Sequence, residues 1–112
     1  MDIIDYSDFL SVDIRVGTII EANEYNELQK PSIILKIDFG ENIGIKKSSA
    51  QLKSNYKIHN LINKQVAAVI NFKPKQIGKI ISEVLVLGFQ DEQEQPILFS
   101  PDKKVKNGGK LF

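Results

Sequence analysis

Apolar and polar residues alternate along most of this chain, and a period of two predicts strands rather than helices. Ile14, Val16, Thr18 and Ile20 fall on one face of a first strand, and Ile33, Leu35, Ile37 and Phe39 on one face of a second that Gly40 closes. Ile43 and Ile45 suit a short third. From Ser48 to Ile58, Leu52 and Tyr56 stand in helical spacing behind serines able to cap the start, the pattern of one short helix. Val66, Ala68 and Ile70 give a fourth strand. In a fifth, Ile81, Glu83, Leu85 and Leu87 alternate with Ser82, Val84 and Val86, so both faces are largely apolar, which implies burial on both sides or a partner on one.

Three strands, a helix and two strands is the chain order of an all-β OB-fold, a five-stranded Greek-key barrel with one short helix between strands 3 and 4. The expected barrel covers residues 13–90 of a single domain, leaving extensions at 1–12 and 91–112. A short amphipathic helix through Tyr6, Phe9 and Leu10 is expected in the first, and the second holds Ile97, Leu98, Phe99, Val105, Leu111 and Phe112. A closed barrel does not call for these apolar residues in its own core. Tyr6, Phe9, Leu10, Phe99, Leu111 and Phe112 are therefore expected to form an isologous homodimer interface.

At 112 residues, 42% apolar and 26% charged, the composition is that of an ordinary soluble domain with a real core. The absence of cysteine excludes disulfides, thiolate catalysis and cysteine-ligated metal. The acidic start lacks the pattern of a signal peptide and the apolar runs are too short to cross a bilayer, so a cytoplasmic location without membrane insertion is expected. There is no nucleophile elbow, phosphate-binding glycine loop or zinc-helix motif, and His59, the one histidine, has no converging ligands. A non-enzymatic protein without metal or cofactor is expected. Asp91, Glu92 and Glu94 share one polar turn and read as solvent-facing.

Charge changes the picture once it is resolved along the chain. Seven acidic residues and one arginine give the first 29 positions −6, ten lysines against Asp38 and Glu41 give 30–79 a charge of +8, and the remainder carries −1. A basic middle and an acidic front make a directional field suited to docking an anion on one side. Lys73, Lys75 and Lys79 lie on one short segment punctuated by Pro74 and Gly78, a layout suited to contacts with a phosphate backbone, against the plainer reading of solvated lysines. Lys46 and Lys47 precede Ser48 and Ser49, which either cap the expected helix or receive a phosphate oxygen. Asn71 and Ser82 either meet a ribose hydroxyl or bond the local backbone. Arg15, two residues from Asp13, reads as half of a structural ion pair. Phe72 is the one aromatic among these lysines, too few for a strand-tracking groove, which points to recognition of a folded RNA by shape and backbone. The acidic segment Glu21 to Glu27 is expected to repel RNA.

Several motifs resemble the tRNA-binding domain family: Val12-Asp13-Ile14-Arg15-Val16-Gly17-Thr18-Ile19, Lys36-Ile37-Asp38-Phe39-Gly40, Ile43 to Leu52, Asn71 to Ile77, Ser82 to Gly88 and Ser100-Pro101-Asp102. Within it the chain is most similar to the free-standing CsaA-like branch, related to the C-terminal domain of bacterial methionyl-tRNA synthetases. Where the synthetase-appended domains continue from serine into a glutamine-glycine-methionine run, Ser82 is followed by Glu83-Val84-Leu85, which favours that branch. The resemblance implies a dimeric OB-fold that binds tRNA. For the CsaA-like branch it also implies a secretion-associated chaperone role, with unfolded or exported polypeptides as ligands. On that second reading the apolar surface near Val84 and Val86 would capture an extended segment.

Overall fold

The computed structural model describes residues 1–27 and 30–112. Its elements in chain order are α1 (Tyr6–Leu10), β1 (Ile14–Tyr25), β2 (Ser32–Asp38), β3 (Ile45–Ala50), α2 (Ile58–Leu61), β4 (Gln65–Val69), β5 (Lys75–Ile77), β6 (Ile80–Ser82), β7 (Leu85–Val86), β8 (Gly88–Gln90) and β9 (Pro96–Leu98). The chain is mostly β. Five strands form an antiparallel sheet in the order β3-β2-β1-β4-β7, and β5-β6 and β8-β9 are separate hairpins. The sheet curls into a half-barrel around Ile19, Ile33, Leu35, Ile37, Phe39, Leu61, Val66 and Ala68, all buried.

Its open side is closed by the segment between β6 and β7. The Glu83 amide donates to the Lys47 carbonyl at 2.8 Å, while the Lys47 amide donates to a Glu83 carboxylate oxygen at 3.0 Å. The Ser49 amide donates to the Ser82 hydroxyl at 3.1 Å. The β3 edge therefore has partners for its backbone groups and offers little template for a foreign strand.

The second strand holds the face its alternation predicts. The first does not. Ile19 is buried and Ile20 is 41% exposed, the reverse of the expected parity, because the core-facing position before them is Gly17 rather than Val16. A β carbon on Gly17 would lie 2.6 Å from Ile37 Cγ2 and 2.8 Å from Phe39 Cδ1, so the packed rings and methyls exclude any side chain there. A bulge between Ile19 and Glu21 then shifts the register, and Ala22 becomes the next inward residue.

Three further expectations change. Residues 48–50 are strand, not helix; β3 takes in Lys46 to Ala50, and the one short helix between β3 and β4 is the single turn of α2. The long fifth strand is broken into β6, β7 and β8, because Ser82 and Glu83 turn their polar groups onto β3. Nor is the apolar C-terminal segment spare: Leu98 is part of the core, and Phe99 accepts from the Ala67 amide and donates to the Leu87 carbonyl. Farther on, residues 108–111 run beside β1, with Val16 donating to Gly109, Gly108 to Val16 and Leu111 to Ile14.

The polar turn after β8 is more than a solvated patch. One Asp91 carboxylate oxygen accepts from the amides of Gln93 and Gln95 at 2.8 and 2.9 Å, and the other from the Asn55 side chain at 3.0 Å. The Gln95 amide, the largest influence, together with Asn55 and Gln93, lowers this carboxyl below its ordinary value of 3.8. A depressed carboxylate contributes stability that is complete above its unfolded value and is lost as pH falls through the folded one. Stability measured by urea titration should thus lack an Asp91 contribution to its pH dependence at neutral pH but show one below 3.8, and Asp91→Asn should flatten that acid limb. Separately, Gly17→Ala should lower the urea midpoint by an amount equivalent to about 1–3 kcal/mol through overpacking. A wild-type midpoint for that variant would refute the close-packing account.

Candidate functional site

The lysine-rich segment is a β-hairpin standing on the edge of the half-barrel. Lys75, Gln76 and Ile77 pair with Ser82, Ile81 and Ile80, and the two-residue turn between them begins with Gly78 at φ +60°, the left-handed conformation that primed hairpin turns demand. Its base is tied to β3 through Ser82. Near the other end, the Lys79 amide donates to the Tyr25 hydroxyl at 3.0 Å, so the last residue of β1 holds the turn.

Between the hairpin, β3 and the start of β7 lies a cleft of about 470 Å³, lined among others by Ser49, Phe72, Lys73, Lys75, Ile77, Ser82 and Leu85. Phe72 is 53% exposed, and Lys73 and Lys75 are exposed. Five of the residues singled out in the sequence as RNA contacts, Ser49, Phe72, Lys73, Lys75 and Ser82, are thereby brought together. The floor is already satisfied: the Ser82 hydroxyl accepts from Ser49 and donates to the Val84 carbonyl at 3.3 Å. The cleft presents two ammonium groups, an aromatic face and apolar walls, together with Glu83, one of whose carboxylate oxygens accepts from the Lys47 amide.

The remaining candidates lie elsewhere. Lys79 is at the hairpin turn. Lys46 stands opposite Ile37 and Lys47 opposite Lys36 in the β2-β3 register, so the two adjacent lysines point to opposite faces of the sheet. Ser48 is buried opposite Leu35 and is inaccessible to a phosphate, and with no helix beginning there the helix-mouth site does not form. The Asn71 side chain accepts from the Asp13 amide and donates to the Ser11 carbonyl, both at 2.9 Å, clasping the N-terminal segment to the end of β4. Its amide is used within the chain.

Val84 is 5% exposed and packs in the core while also lining the cleft, and Val86 is half-buried against that core; the more exposed apolar groups nearby are Ile81 and Leu85. Among the residues expected at a dimer seam, Tyr6, Leu10 and Phe112 are exposed. Phe9 and Leu111 are half-buried, and the Phe99 ring packs on Phe89 with centroids 5.5 Å apart.

Electrostatics follow the charge partition only in part. Among the described residues the ion pairs are Arg15–Asp13 at 2.6 Å, Lys36–Glu21 at 3.1 Å and Lys53–Glu24 at 3.5 Å. The first is the structural pair expected from sequence, and Arg15 also donates to the Gly108 carbonyl. The other two blunt the acidic edge of β1, which repels an anion less than the sequence implies. Lys46, Lys47, Lys73, Lys75 and Lys79 enter none of these pairs. A larger concavity of about 880 Å³, between the β2-β3 turn and residues 106–109, includes Arg15, but that guanidinium is already engaged. Among the described residues, no helix is long and apolar enough to cross a membrane, and no three His, Asp or Glu side chains cluster as metal ligands.

Sequence reasoning missed Tyr25, the anchor of the hairpin turn, and Ile77 and Leu85 as cleft walls. The Gly78-Lys79 pair between short apolar runs was the signal for the hairpin.

The half-barrel thus carries a basic hairpin arm beside a cleft lined by Lys73 and Lys75. Residues 14–110 match the family described as "Putative tRNA binding domain", and the chain belongs to that family. It is 36% identical over 111 residues to methionine–tRNA ligase of Pyrococcus horikoshii and 37% over 109 residues to that of Nanoarchaeum equitans, covering 99% and 97% of this chain. It spans only 15% and 14% of the length of those ligases. Among solved structures it is similar to the chaperone CsaA of Bacillus anthracis (TM-score 0.93, 41% identity, 99% of this chain and 100% of that one). The CsaA chaperone protein of Picrophilus torridus is also similar (TM-score 0.90, 49% identity, 98% and 100%).

The clasp made by Asn71 separates structure from recognition. Asn71→Ala should lower stability by about 1 kcal/mol, the worth of a hydrogen bond lost from each of two backbone groups that water partly replaces. Loss of RNA affinity at unchanged stability would instead assign Asn71 to the ligand.

Proposed function

We propose that this chain is a non-catalytic tRNA-binding protein of OB-fold architecture that holds tRNA by its backbone and shape. The observation that carries this reading is the cleft in which Lys73, Lys75 and the exposed Phe72 converge, in a chain belonging to the tRNA-binding domain family. The ammonium groups approach phosphates, Lys79 extends the contact along the hairpin, and Lys47, on the same strand face as the cleft-lining Ser49, adds a cation from β3, while Lys46 points to the other face. Phe72 stacks on one exposed base. One aromatic supports no long single-strand groove, so the ligand is a folded RNA read by contour. The protein acts as a cytoplasmic homodimer, with Tyr6, Leu10 and Phe112 covered at the seam.

The test is a tRNA titration from about 50 to 200 mM salt, where each phosphate contact contributes about one unit to the slope of log affinity against log salt. The variant K73A/K75A/K79A should lose about three units of slope and at least tenfold in low-salt affinity. Salt-independent binding, or a wild-type slope in the variant, would defeat the reading.

A second reading is favoured by Ile77 and Leu85 in the same cleft and by the likeness to two proteins named as CsaA chaperones. On it, the cleft takes an extended apolar segment of an unfolded or exported polypeptide. Suppression of aggregation of a denatured client should then tolerate salt and fall on Leu85→Ser. Failure to protect any client while tRNA binding persists decides for the first reading.

A further inference from the structure

A second concentration of positive charge lies outside the cleft. Residues 103–110 hold Lys103, Lys104, Lys106 and Lys110 and no carboxylate, a cluster that the near-neutral total of the C-terminal third conceals. This segment is not a loose basic tail. The buried Gln65 side chain donates to the Val105 carbonyl at 2.7 Å and to the Asn107 side-chain oxygen at 3.0 Å, and accepts from the Val105 amide at 3.0 Å. Thr18 adds a 2.8 Å bond to the same Asn107 oxygen. The backbone bearing Lys103, Lys104 and Lys106 is thereby fixed over the β1-β4 pair.

Beside it the turn after α2 presents Lys64, and together they line a concavity of about 350 Å³ that contains Lys64, Lys103 and Lys104. Asp102 also lines it, but none of the three ion pairs among the described residues involves these groups. Three lysines against one aspartate line the concavity, an excess of positive charge that a polyanion crossing it would neutralise. The concavity shares no lining residue with the cleft, which is built on β3 and the hairpin.

We propose that the Lys64–Lys103–Lys104 concavity is a second phosphate-backbone site, so that one folded RNA is held on two separate faces of the protein. This rests on the tRNA reading of the cleft and extends it. Two fixed cationic contacts select for an RNA whose backbone bends from one to the other, which gives discrimination by contour without any base being read.

The test compares K103A/K104A with K73A/K75A in the full chain, using an unmodified tRNA transcript across the same salt range. Both replaced pairs are exposed, and circular dichroism is the check that each variant keeps the fold. K103A/K104A should lower the salt slope by about two units and low-salt affinity by about tenfold, and its effect should add to that of K73A/K75A. A wild-type slope for K103A/K104A beside a loss for K73A/K75A overturns the second site and leaves the cleft reading intact. Loss for K103A/K104A alone overturns the cleft reading and with it the holding of one RNA on two faces, leaving the concavity as a single site, and a wild-type protein that does not bind tRNA overturns both. If K103A/K104A keeps tRNA affinity but loses binding to polyglutamate, the concavity belongs to an acidic polypeptide and the proposal fails.

Discussion

The polar stitching of Ser82 and Glu83 to β3 is the constraint on which the rest depends. Lys47 and Glu83 exchange two hydrogen bonds and Ser49 donates to Ser82, which closes the open flank of the half-barrel. The same three contacts cover an edge strand, break what would be a continuous fifth strand and hold the base of the basic hairpin. Without them the cleft has no second wall. A glutamate beside a supposed phosphate site looks misplaced in the sequence, yet its carboxylate is turned onto a backbone amide and serves the fold.

How legible each element was depends on whether its neighbours or its own side chains decide its conformation. Ile33, Leu35, Ile37 and Phe39 alternate without interruption, and the strand lies as the pattern requires. In β1 the pattern misled because its inward position is a glycine, invisible to any hydrophobicity count; the bulge at Ile20 then brings the inward face back to an even position at Ala22. Lys46-Lys47-Ser48-Ser49 has little intrinsic strand preference; pairing with β2 on one side and with Ser82 and Glu83 on the other imposes it.

The candidate site was legible as a set of residue types more than as a place. Lysines flanking a lone phenylalanine and a serine could be named from the chain, and Ser49, Phe72, Lys73, Lys75 and Ser82 do converge. Asn71 and Ser48 were equally plausible by type, but the N-terminal clasp and the core claim them. Only the three-dimensional pairing distinguishes a polar side chain that is free from one already spoken for. The partial neutralisation of Glu21 and Glu24 was hidden for the same reason, since Lys36 and Lys53 are distant in sequence.

The attachment of the hairpin at both its base and its turn has a mechanical consequence. Held by Ser82 below and by the Tyr25 hydroxyl above, the arm behaves as a beam supported at both ends rather than as a hinged flap. Freedom is left mainly to the lysine methylene chains beyond the backbone. An incoming ligand therefore meets a surface already set in shape, and the ordering entropy lost on capture falls on a few side chains instead of on a whole loop.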